Sequence, residues 1–123
     1  MSTSHTIPRD QWRTYFDHVS RGLGGKRIEI EADSLDLGTQ IVAEWMQLLG
    51  ITYDSHNDLF DIALAGPSLD HLIRGPQQVL VQEGENGIES IAIEADNATH
   101  VLRLKNPLLL PAGESAHTGS AQR

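Results

Sequence analysis

The chain has 123 residues with 17 acidic and 9 basic side chains, giving a net charge of −8, and it contains no cysteine. A chain of this length fits one domain that buries roughly two thirds of the surface its unfolded form exposes, with no disulfide or metal needed to hold it. Lack of cysteine excludes disulfides, thiolate metal centres and cysteine nucleophiles, and nine scattered basic residues make nucleic acid and anionic membranes poor partners.

Residues 1–5 are polar and read as a flexible N-terminus. The opening "MSTSHTIPRDQW" lacks the apolar core and basic leader of a signal peptide, and the aliphatic run Leu108-Leu109-Leu110 is far short of the ~20 residues of a membrane helix. The expected location is cytoplasmic. Trp12, Tyr15, Phe16, Val19 and Leu23 then fall on one helical face, with Pro8 and Asp10 at the start and Gly22, Gly24 and Gly25 at the stop.

"KRIEIEA" alternates strictly and predicts a half-exposed strand over 26–32, its Glu29 and Glu31 read as a charged face that protects a sheet edge. "TQIVAEWMQLLG" fits either structure: Ile41, Val42, Trp45, Leu48 and Leu49 mark a helical face, whereas Ile41, Ala43 and Trp45 mark a strand face. Local pattern alone favours the helix. "ITYDSHNDLFDIALAG" predicts a hairpin, with Asp54 to Asp58 turning and a strand over 59–65. Residues 69–74 read as a helical turn or an irregular crossing before Pro76. A three-stranded meander follows over 77–83, 88–95 and 99–105, with turns at Asn86-Gly87 and Asp96-Asn97. The tail 113–123 has too little apolar content to pack and is expected to be disordered.

Four residues are candidate metal ligands: Asp54, His56, Asp58 and His71. The first three occupy the first ligand slots of an EF-hand loop, but Leu59 stands where the turn glycine belongs and Ala65 where the bidentate glutamate belongs. Turn chemistry therefore explains the segment better. His71, flanked by Asp70 and near Arg74, has the residue types of an oriented general base, but no nucleophile or zinc motif accompanies it. Gly22 to Lys26 looks like a phosphate cradle in the wrong order, helix before glycines before strand. Trp12 and Trp45 read as core residues, and Asn97-Ala98-Thr99 as a turn that happens to match a glycosylation acceptor.

The frame "IPRDQW" (7–12), "EWMQLLGITYD" (44–54), "DHLIRGPQQVLVQEG" (70–84), "IESIAIEAD" with its leading Ile88, and "VLRLKNPLLLPA" (101–112) resembles a bacterial family of small proteins known only as a domain of unknown function. The resemblance spans about residues 7–112 and implies no activity, cofactor or catalytic residue. It does imply a strand rather than a helix at "QIVAEWMQLLG", hence over 40–48.

These readings combine into a single α+β domain over 6–112: one N-terminal amphipathic helix packed on an antiparallel sheet of about six strands, with a partly closed small β-barrel as the alternative. With no convergent catalytic set and no cofactor motif, the expected role is a non-enzymatic accessory or protein-interaction module that pairs with itself or another protein. The alternative is a small-ligand or metal-binding protein using the 54–58 turn or His71.

Overall fold

Alternation places Ile28 and Ile30 of β2 (Arg27–Ser34) in the core, while Glu29 and Glu31 point outward. A computed structural model describes residues 2–66, 70–96 and 98–110; the tail 113–123, Leu69 and Asn97 lie outside these. Ahead of β2 come β1 (Thr3–Thr6), a 3-10 turn (Arg9–Gln11) and α1 (Trp12–Arg21). After it come β3 (Gly38–Asp54), β4 (Leu59–Leu64), β5 (His71–Arg74), β6 (Pro76–Gly84), β7 (Gly87–Ala95) and β8 (Thr99–Leu108).

All neighbouring strands pair antiparallel, in the order β1-β6-β7-β8-β2-β3-β4-β5. The expected helix on about six strands is therefore corrected to a mostly β arrangement, with eight strands and one ten-residue helix among the described residues. The alternative of a partly closed barrel fails as well, because the edge strands β1 and β5 do not pair with each other. The two added strands are short and carry little apolar signal. Thr3–Thr6, whose residues up to His5 read as a flexible N-terminus, is exposed along its whole length yet pairs with β6. His71–Arg74, read as a turn or crossing, buries only Ile73.

β3 also resolves the ambiguity at 40–49. It is a strand throughout, and at 17 residues it is longer than the expected 40–48 and absorbs "ITYD". Its first part pairs with β2 and its last part with β4. The register slips near Val42, near Glu44-Trp45 and at Leu49, so buried Ala43, Leu48 and Ile51 are spaced by five and three residues instead of two. Of the apolar residues at helical spacing, Ile41, Val42 and Leu49 are exposed and Leu48 alone is buried. Trp45 sits at one of the slips with φ +50, a backbone region that side chains with a Cβ seldom adopt, and it is only half-buried rather than in the core.

α1 lies against β3 with Trp12, Phe16 and Val19 buried. Phe16 meets Phe60 edge-on at 5.1 Å between ring centroids, Trp12 lies tilted against Phe60 at 5.4 Å, and Trp12 meets Tyr53 edge-on at 5.1 Å. The Trp12 indole N–H donates to the Ile7 carbonyl at 2.8 Å. The glycines after the helix close it, with Gly24 and Gly25 at positive φ, and Lys26 Nζ donates to the Pro107 carbonyl, a structural use of the would-be phosphate loop. In the β6–β7 turn, Gly87 and not Asn86 has the positive φ (+115), and a Cβ there would overlap the Leu108 carbonyl. Glu29 and Glu31 guard no edge: β2 lies between β8 and β3, and both glutamates pair with Arg103 of β8, at 3.5 and 2.7 Å.

Where β3 leaves β2, its vacated edge is taken by the helix. The Ser20 hydroxyl donates to the Ile51 carbonyl at 3.0 Å and accepts the Ile51 N–H at 2.9 Å, standing in for a strand. Ser20→Ala leaves both half-buried backbone groups of Ile51 without this partner. The expected loss is about 1–2 kcal/mol in urea unfolding with an unchanged far-UV spectrum.

Candidate functional site

The 54–58 turn is built by its own side chains. Asp54 Oδ1 accepts the N–H groups of His56 (2.9 Å) and Asn57 (3.2 Å), and its Oδ2 accepts from the Asn57 amide at 2.8 Å. These bonds, led by the Asn57 amide, hold the Asp54 carboxyl below its ordinary pKa. Asp58, at φ +51, turns the other way: its Oδ1 accepts from the Tyr53 hydroxyl at 2.7 Å and from Arg9 at 3.0 Å. Asp54 and Asp58 are thus drawn to different partners, and the His56 backbone is tied into the turn. Among the described residues, no group of three or more His, Cys, Asp or Glu is placed to hold a metal ion.

Arg9 has no counterpart in the sequence-level reading. Its guanidinium donates to Tyr53 Oη (3.2 Å), Asp58 (3.0 Å) and the Pro76 carbonyl (2.7 Å), and it lies 4.4 Å from the Trp12 ring centroid. Burial, then the Asp58 carboxylate, raises the Tyr53 pKa, while the Tyr53 hydroxyl and Arg9 lower that of Asp58. A hollow of about 660 Å³ lies over Arg9, Asp10, Tyr53, Ser55 and Asp58. The Arg9, Tyr53 and Asp58 groups in its wall bond to one another, clamping the 3-10 turn, the β3–β4 hairpin and the start of β6.

Asp70, His71 and Arg74 do not converge. His71 stands opposite core residue Ile62 and reaches His100 of β8, with 3.0 Å between Nε2 and Nδ1. Burial lowers the pKa of both imidazoles, and the charge of His100 lowers that of His71 further. Asp70 instead neighbours Asp61, whose pKa is raised by burial and then by Asp70.

The remaining unusual surface is an arm formed by the tip of the β2–β3 hairpin. Leu35 and Leu37 in its turn are 104% and 70% exposed, and Ile41 and Val42 on its second strand are 50% and 47% exposed. From Gly38 to Trp45, β3 pairs with β2 on one side, and no strand among the described residues covers its other edge. Clusters of exposed aliphatic side chains beside an open edge mark interaction surfaces.

Two outcomes follow from the polar clusters. Because both paired histidines have depressed pKa values, their contribution to stability is complete above the unfolded value of about 6.5 and falls as pH drops through the folded values. The urea midpoint should therefore fall between pH 7.5 and 5.5, and should fall less in a His71→Gln/His100→Gln variant. His56→Ala, at an exposed turn position, should change stability by no more than about 0.5 kcal/mol in the same assay.

Among the described residues, no helix is long and apolar enough to cross a membrane. The chain is similar to an uncharacterised protein of Aquifex aeolicus (strain VF5), 33% identical over 106 residues that cover 85% of this chain and 95% of the relative. No solved structure matches it. The pattern of a family of unknown function (DUF5335) matches residues 3–113, and the chain belongs to that family.

Proposed function

We propose that this protein is a non-enzymatic interaction module that engages a protein partner through the β2–β3 arm. The observation that supports this most directly is the cluster of four exposed aliphatic side chains, Leu35, Leu37, Ile41 and Val42, beside an uncovered strand edge. A water-exposed aliphatic group costs free energy that burial recovers, at roughly 25 cal/mol per Å². The polar groups that looked most like chemistry in the sequence are engaged within the fold: Asp54 shapes its turn, Asp58 holds Tyr53 and Arg9, and His71 holds His100. What the molecule offers to a partner on the arm is backbone hydrogen-bonding groups and apolar side chains, the two components of β-strand addition.

The full chain and a Leu35→Ser/Leu37→Ser variant, immobilised in parallel and exposed to host lysate, test this reading. Both positions are exposed, so the variant should keep its unfolding midpoint. Proteins retained by the native chain, further copies of itself included, should be lost from the variant. Equal retention by the two would remove the arm from the account.

A further inference from the structure

We infer that the arm is a homodimer interface, in which the open edge of β3 pairs antiparallel with the same edge of a second copy. The inference rests on the proposed interaction role of the arm and names its occupant. An antiparallel pair of identical strands is related by a two-fold axis, so each copy covers the other's edge and the assembly closes at two. The bulge at Val42 ends the regular stretch at Ile41, so the shared ladder about an axis at Thr39 is short, Gly38–Gln40, and apolar contact supplies the rest.

Charge favours self-pairing here over other surfaces. The chain carries −8, so two copies repel each other generally, yet the ten residues from Ser34 to Ala43 include one charged side chain, Asp36. The other two sheet edges are four-residue strands beside charge. β1 carries His5, 3.5 Å from Glu83, and β5 is preceded by exposed Asp70 and ends in exposed Arg74. The arm is also complementary to itself. An axis through Thr39 pairs Gly38 of each copy with Gln40 of the other and brings Ile41 of each copy up to Leu37, the last residue of the other's turn. Both side chains are at least half exposed in the single chain.

Sedimentation of the purified full-length chain over a wide concentration range reads the inference without lysate. The weight-average mass should rise from one chain towards two and level off there, while Ile41→Lys and Leu37→Lys variants, checked for native unfolding midpoints, remain single chains. The native chain has no cysteine, so single substitutions Thr39→Cys, Gln40→Cys and Ile41→Cys report geometry cleanly under mild oxidation. Thr39→Cys should crosslink to its own copy fastest; fastest crosslinking at one of the other two positions moves the axis along the same edge and upholds the interface. A single chain at every concentration, a dimer unchanged by both lysine variants, or no crosslink at any of the three positions overturns it. If the purified chain stays single while lysate proteins are still retained through the arm, the second copy is excluded and the interaction role stands. If retention is also indifferent to the arm, both fall.

Discussion

The structure turns on the change of partner along β3. A strand can keep one neighbour on each side for its whole length only if the sheet stays regular, and three register slips within 17 residues prevent that here. The first part of β3 pairs with β2 and the last with β4, so each part has an edge that a regular sheet would fill. The two edges meet different fates. Near Ile51, α1 supplies the Ser20 hydroxyl, which satisfies a backbone donor and acceptor at once. Between Gly38 and Glu44 no such side-chain bond is present among the described residues, and this is also where Ile41 and Val42 reach solvent.

The aromatic cluster and the Arg9 clamp make the bent arrangement a fixed one. Phe60 is buried among Trp12, Phe16 and Tyr53, so it joins the helix to the β3–β4 hairpin through ring contacts of 4.9 to 5.4 Å. Arg9 binds the same end of that hairpin through Tyr53 and Asp58 and adds the start of β6. The turn that invites a metal reading is thus a fastening point. Its acids are deployed toward a turn backbone and a guanidinium, two electrostatic tasks that leave them pointing apart.

How much of this the sequence displays depends on how regular each element is. β2, β6 and β7 are legible because burial alternates along them, β8 because Leu102 and Leu104 alternate with Arg103 and Lys105, and α1 because Trp12, Phe16 and Val19 repeat at helical spacing between Pro8 and Gly22. The bulges of β3 erase the period of two, and only a family resemblance pointed to a strand there. β1 leaves no trace because pairing with β6 satisfies its backbone while no side chain is buried. The turn at Asp54 is readable, since Asx bonding is local. The His71–His100 contact spans 29 residues and Arg9–Asp58 spans 49, distances over which sequence patterns carry no geometry. Ile41 and Val42 mislead in the opposite sense: they look like core and are exposed.

The place of β8 in the sheet order bears on assembly. β1, β6 and β7 form one run of neighbours and β2, β3, β4 and β5 another, and β8, the last of the eight strands in sequence, lies between β7 and β2. Until it arrives, Ile28 and Ile30 on one side and Ile91 and Ile93 on the other lack the strand that both pair with. The β2–β3, β3–β4 and β6–β7 hairpins can form early, because their turns are short and local, whereas β1 meets β6 across more than seventy residues. Joining the halves requires β8 to pair with β2, whose residues lie about seventy positions earlier, a contact of the kind that slows folding. A chain emerging during synthesis therefore carries two unfinished sheets with open inner edges, and the core becomes continuous only when its eighth strand slots in.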